Sequence, residues 1–316
     1  MSEEEKQKLE AEEAKEKANS EETEGCEQSE AIEANPTEQD AEEWTTDEGS
    51  FKVYEYDHTD DQGQVTQPAF GTGPIQVAAK TAKKAKYGGA LITGGGFQQK
   101  ASKNSVNIVP VEDYFWIPST GASFLLMPYQ EGGDFVDHIT TYNAQGQTAV
   151  NKAILQALDG LKAMHDLGIM HRDLKPGNIM VNDGTLLIAD FDAATDQEKA
   201  TQWLVGTPGF LPPEILRLQA YDKNSDVFSM GMTWIYTSFS KIWPWDQQEA
   251  FWKALMGPRN GNDFLTPRDV KGLLIEWFDM DKDMRALAAD VLCGPDKRIN
   301  AGDFYTRLED LIKNAA

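Results

Sequence analysis

Three oxygen donors and a cation crowd one short part of this chain. Asp173, Lys175 and Asn178 lie in the segment IMHRDLKPGNIMV, and Asp190 ends the apolar run LLIAD. Carboxylates and a carboxamide suit a hard divalent cation that keeps part of its water. IMV and LLIAD read as short strands on either side of Asn182-Asp183-Gly184, a signal for a tight hairpin. Such a hairpin folds the polar loop of Asp173 and Asn178 back against the strand end of Asp190, so the three oxygen ligands can converge. Ahead of the loop, Ile154, Leu155, Leu158 and Leu161 recur at helical spacing and predict a helix from Asn151 to near Gly168.

The rest of the chain must supply a scaffold for that site, and 316 residues with 40% hydrophobic side chains and eight tryptophans are ample for a core. The net charge is −23, and the first 50 residues hold 19 acidic side chains against four lysines. With almost no large apolar residues, residues 1–45 are expected to be a disordered acidic tail. This balance argues against nucleic acid as a partner. Cys26 and Cys293 suggest neither a disulfide framework nor a zinc site. The first residues lack the basic-then-apolar order of a secretory signal, and no run has the length of a membrane span. A cytoplasmic location is the expectation, with export by a machinery that reads other signals left open.

HRDLKPGN resembles the catalytic loop of eukaryotic-type serine/threonine protein kinases, and ADFD resembles their metal-binding motif. Downstream, GTPGFLPPE is similar to the end of an activation segment, DVFSMGMTW to the central helix of the large lobe, and PDKRI to the closing motif. The resemblance runs from about Ser50 to Leu311. It implies an α+β, bilobal protein kinase fold, with a small β-rich lobe at 46–128 and a larger helical lobe at 129–316. It also implies roles. Asp173 matches the catalytic base and Lys175 the cation beside the transferring phosphoryl group, a lysine typical of serine/threonine kinases. Asn178 and Asp190 match the metal ligands. Thr207 matches the threonine that bonds base and lysine, Glu214 and Arg298 a buried ion pair, and Asp226 a brace for the catalytic loop. His171 and Phe191 match packing residues. FLLMPYQEGGDF is similar to the hinge that receives adenine, with Met127 at the gate, the Pro128 carbonyl and the Gln130 N–H facing the base, and Ala78 and Met180 sandwiching the ring. Lys80 matches the lysine on the α- and β-phosphates. ATP with magnesium or manganese is the implied cofactor set, and a protein is the implied substrate.

The small lobe departs from the family. Thr72-Gly73 reads as a turn ahead of a strand, whereas the phosphate-loop position reads HTDDQGQV, with the single Gly63 and with Asp60 and Asp61 placed to repel phosphate. No acidic residue lies between Gln62 and Pro110, so the helix glutamate that usually holds the lysine is missing; Gln98 or Gln99 occupies its expected position and can hydrogen-bond Lys80. YGGALITGGG argues for a short or irregular helix there. Asp192 replaces the glycine of the metal motif, as a further metal ligand or as a turn cap, and aspartate is a residue that tolerates positive φ. Lys80, Lys83, Lys84, Lys86, Lys100 and Lys103 make the small lobe basic, a face that the acidic tail can contact within the chain. Counting back from GTP puts Trp203 at the usual phosphorylation position, so Arg172 lacks a phosphate partner and activity without loop phosphorylation is expected. Two readings follow: a serine/threonine kinase using ATP, or a pseudokinase that binds nucleotide or acts as a scaffold.

Overall fold

A computed structural model describes residues 43–45, 49–56, 75–82, 88–117, 122–202, 205–239, 245–257 and 263–315. The expected tail up to residue 42, the HTDDQGQV loop, Thr72-Gly73, Lys83, Lys84, Lys86 and Trp203 lie outside them. All described residues fall within one body, Pro36–Ala316.

The small lobe is an antiparallel sheet with one helix. Its strands are β1 (Glu43–Thr45), β2 (Gly49–Tyr56), β3 (Ile75–Ala82), β4 (Asp113–Ile117) and β5 (Ala122–Pro128), in the order β1-β2-β3-β5-β4. β1 begins before residue 46, inside the stretch that composition assigned to the tail. In β5 every second residue is buried, the period of a strand with one face on a core. Helix α1 spans Gly88–Ser102. It is neither short nor irregular, although its glycines have poor helix propensity. Packing accounts for this: Leu91 is buried in a cluster with Val109, Leu125, Met127, Leu187 and Ala189. The glycines let the helix lie close to its neighbours. A Cβ on Gly95 would stand 3.0 Å from Leu125 and 3.1 Å from Tyr114, and one on Gly94 would stand 2.5 Å from the Phe191 carbonyl oxygen.

The large lobe is built around α3 (Gln147–Asp166) and α5 (Asn224–Phe239). Ile154, Leu158 and Leu161 on α3 and Phe228 and Trp234 on α5 are fully buried, and Trp234 Nε1 donates to Asn151 Oδ1 at 2.9 Å. α3 stops where Gly168 takes a φ of 76°. Around this pair lie α2 (Phe135–Ala144), the single turn α4 (Pro213–Leu216), α6 (Trp245–Leu255), α7 (Pro267–Trp277), α8 (Lys282–Leu292) and α9 (Ala301–Asn314). Asp134, Thr266, Asp281 and Asn300 each accept backbone N–H bonds at a helix start, satisfying donors the helix leaves open. No helix among the described residues is long and apolar enough to cross a membrane.

The hairpin read from the sequence is present. β6 (Ile179–Asn182) pairs with β7 (Thr185–Ile188), and Asp183 and Gly184 both take positive φ, 47° and 76°, as a two-residue turn of the tight type requires. The lobes meet on this hairpin. Val109 N donates to Ile188 O at 2.9 Å, Ile188 N to Asn107 O at 2.8 Å, and Asn107 Nδ2 to Leu186 O at 2.8 Å. The link from α1 to β4 is thereby tied to the large lobe, which fixes the floor of the cleft between them.

Candidate active site

The loop that follows α3 is held from beneath by a buried carboxylate. Asp226, on α5, accepts the His171 N–H at Oδ2 (2.8 Å) and the Arg172 N–H at Oδ1 (2.8 Å), with the His165 ring nitrogen 3.0 Å from Oδ2. Burial pushes this carboxyl up, but the bonds and charge of His165, with those from His171, outweigh it and hold Asp226 below the usual carboxylate value. Fixing the loop forces Arg172 into left-handed backbone, φ 70°. Such strain costs on the order of 1–3 kcal/mol and persists where the surroundings over-determine it. His171 and Phe191 are fully buried, with ring centroids 4.9 Å apart, and the His171 ring bonds the Ala189 carbonyl at 2.9 Å. They pack, as the sequence suggested.

Asp173 is gripped at both carboxylate oxygens. Thr207 Oγ1 donates to Oδ1 at 2.6 Å, and Lys175 Nζ and Asn178 Nδ2 donate to Oδ2 at 2.8 and 2.9 Å. Lys175 also donates to Thr207 Oγ1 at 2.7 Å, and Asn178 Nδ2 to the Asp173 carbonyl at 2.8 Å. With its NH2 end committed to Asp173, Asn178 has its carbonyl end to offer a cation. Ala189 N bonds Asn178 O at 3.0 Å, which sets Asp190 beside the loop. Glu214, in α4 on the stretch that follows Thr207, and Arg298 form a buried two-pronged pair, 2.5 and 3.0 Å.

Lys80, on β3, is where sequence reasoning fell short. Its ammonium is 2.8 Å from Asp190 Oδ1 and 2.8 Å from Asp192 Oδ2, with only 7% of the side chain exposed. Burial alone would lower this ammonium's pKa; the two carboxylates reverse that and raise it. Asp190 in turn is held below its ordinary value, because Lys80 outweighs its burial. Gln98 does not bond Lys80, as had been expected. It is fully buried, gives Nε2 to the Val109 carbonyl at 2.9 Å and to Met127 Sδ at 3.2 Å, and its Oε1 finds no hydrogen-bond partner among the described residues. The left-handed backbone of the metal motif falls at Asp190, φ 62°, and not at Asp192, so an aspartate in the glycine position meets no conformational penalty. The signal for Asp192 was present in the sequence: with no acid from Gln62 to Pro110, the countercharge had to come from elsewhere.

At the stretch expected to be the hinge, Ala78 lies opposite Met127 in the β3–β5 register, and Met180 packs against the cluster that holds Met127. The Pro128 carbonyl already accepts the Gln130 side-chain amide at 2.7 Å. Nothing in the residue types had indicated that. Arg172 is likewise engaged, with Nη1 donating to Gln202 Oε1 at 2.7 Å and Nε to the Ala193 carbonyl, while Tyr221 donates to the Gln202 carbonyl at 2.8 Å. The count from GTP had pointed to Trp203, which lies outside the described residues; among those described, Gln202 and the Tyr221 hydroxyl are the side chains at Arg172.

The sequence profile of the protein kinase domain matches residues 75–305. The chain is 32% identical over 145 residues to the probable serine/threonine-protein kinase zyg-1 of Caenorhabditis briggsae, a match that covers 44% of this chain and 20% of that protein. The chain thus aligns with about a fifth of the curated relative. A profile match over most of the chain, on a two-lobed fold whose cleft gathers Lys80, Asp173, Asn178 and Asp190, establishes that the chain belongs to the protein kinase family.

Proposed function

We propose that the chain transfers the γ-phosphoryl group of ATP to serine or threonine hydroxyls of protein substrates. The observation that carries this reading is the grip on Asp173 by Thr207, Lys175 and Asn178. A carboxylate fixed at both oxygens, with Oδ2 bonded twice and Oδ1 once, keeps one lone pair on Oδ1 for an incoming hydroxyl, which it orients in line and whose proton it accepts late. Lys175 sets a positive charge beside the place where phosphoryl oxygens gain negative charge. Lys80 serves the α- and β-phosphates from the other wall. Asn178 and Asp190 offer neutral and anionic oxygen to a cation. Among the described residues no three His, Cys, Asp or Glu side chains gather into a metal cage. That fits magnesium or manganese, held through one or two protein oxygens plus phosphate and water. When bound, the cation neutralises phosphate charge. The name of the relative and the presence of Lys175 both favour serine and threonine over tyrosine.

The test is transfer of labelled phosphate from ATP to a generic protein substrate with magnesium and with manganese, followed by identification of the phosphorylated residue type. Phosphoserine or phosphothreonine is expected, and about 10²- to 10⁴-fold less of it with Asp173→Asn. A second reading, a nucleotide-binding scaffold without transfer, is favoured by the Pro128 carbonyl being capped from within the chain. Nucleotide binding by a wild-type protein that transfers nothing would select it.

A further inference from the structure

A buried ammonium such as that of Lys80 needs a partner charge to hold it in place. Among the described residues two carboxylates touch it, Asp190 and Asp192, and they are not equivalent. Asp190 is fixed by its left-handed backbone at the strand end beside Asn178, where it would be drawn to a cation held by the two. Asp192 follows two residues later, past Phe191, whose ring is locked against His171. The helix α1, from which a countercharge could cross the small lobe, reads GGALITGGGFQQKAS and contains no acid. Where it faces the motif it has Gly94, whose added Cβ would stand 2.5 Å from the Phe191 oxygen, 2.7 Å from its carbonyl carbon and 3.0 Å from Asp192 N. Backbone cannot give way as the end of a side chain can. No side chain, acidic or otherwise, fits on the helix at that point.

We propose that Asp192 is the positioning residue for Lys80, supplying from the start of the activation segment the countercharge that α1 lacks, while the glycines of α1 let the helix close down on that segment. With Asp192 in place, Asp190 can turn to a cation without stranding the ammonium. Orientation of Lys80 is thereby uncoupled from any movement of a helix carboxylate and tied to the segment that carries Asp190. The inference rests on the proposed role of Lys80 toward phosphate, but the pair itself can be tested without it.

The experiment is a double-mutant cycle on the full chain with Lys80→Met, Asp192→Asn and both together. The first readout is the thermal midpoint without nucleotide or metal. Asp192→Asn should lower it in the Lys80 protein. In the Lys80→Met background the same change should raise it or leave it unmoved, because there it removes one of two carboxylates that have lost their ammonium. The second readout is affinity for a fluorescent ATP analogue with manganese. It should fall about tenfold with Asp192→Asn, recover in part with Asp192→Glu, and drop no further when Asp192→Asn is added to Lys80→Met. Equal midpoint shifts in the two backgrounds, or Asp192→Glu no better than Asp192→Asn, would overturn the proposal. If even the wild type binds no nucleotide, the ATP-dependent activity fails and the thermal cycle still decides the pair.

Discussion

On the large-lobe wall of the cleft, Asp173 is held by three side chains from its own loop and the activation segment, over a backbone braced by Asp226. On the small-lobe wall, Lys80 stands on β3 with two carboxylates against it among the described residues, Asp190 and Asp192, both from the opposite lobe. One wall carries its own support and the other borrows it. The difference follows from what each lobe can anchor. The large-lobe loop sits on two buried helices, whereas the small lobe offers a sheet and a glycine-bearing helix whose value is closeness of approach. Where a lobe cannot mount a charge, a charge from across the cleft can replace it, provided the helix between them is slim enough.

The comparison breaks most easily at its stronger wall. Asp173→Asn should reduce phosphoryl transfer by about 10² to 10⁴, the usual cost of losing a general base, and Asp190→Ala by at least as much. Initial rates on protein verified as folded check both, and a loss under tenfold for either would remove the large-lobe wall from the chemistry.

Next in size is the brace. Because the folded-state pKa of Asp226 is depressed, its contribution is present above the unfolded carboxylate value of about 3.9 and is lost as pH falls through the folded value. Asp226→Asn should cost on the order of 3 kcal/mol at pH 7 and flatten the acid limb of stability below about pH 4. Denaturant titrations from pH 3 to 7 check this; identical pH slopes in variant and wild type would contradict it.

Most of this wall was legible in the residue types. HRDLKPGN and ADFD name their own neighbours, and Asn182-Asp183-Gly184 forces the turn that joins them, because these are local signals with fixed geometry. The small-lobe wall was legible only as a set of absences. Missing acids on α1 showed that Lys80 lacked its usual partner, yet the identity of the substitute depended on Gly94 meeting Phe191 across the cleft, a contact between positions far apart in sequence. The same holds for Gln98, whose burial behind Met127 is set by the packing of α1 on β5. Propensity also misled: three consecutive glycines argued against a regular helix, and tertiary packing prevailed.

The glycine contact can be sharpened with a matched pair. Gly94→Ala should destabilise by about 1–3 kcal/mol, since overpacking against backbone outweighs the gain in helix propensity. Gly89→Ala, with no atom within 4 Å of the added Cβ, should be neutral or stabilising by under about 1 kcal/mol. Chemical denaturation of both decides it, and equal shifts would mean that closeness at Gly94 is incidental.

A smaller effect is expected in the activation segment. With Gln202 already on Arg172, phosphatase treatment and Thr201→Ala should leave activity within about twofold, and Gln202→Ala should lower it several-fold through loss of one charge-assisted bond. Abolition of activity by Thr201→Ala in folded protein would show that a phosphate is needed there after all.

The most direct measurement is phosphoryl transfer by Asp192→Gly, the change that makes the metal motif more like that of the family. If Asp192 holds Lys80, restoring the glycine should reduce transfer about tenfold or more at subsaturating ATP, with the fold intact. Unchanged or increased activity would show that Lys80 is held by other means and that the small-lobe wall does not borrow its charge.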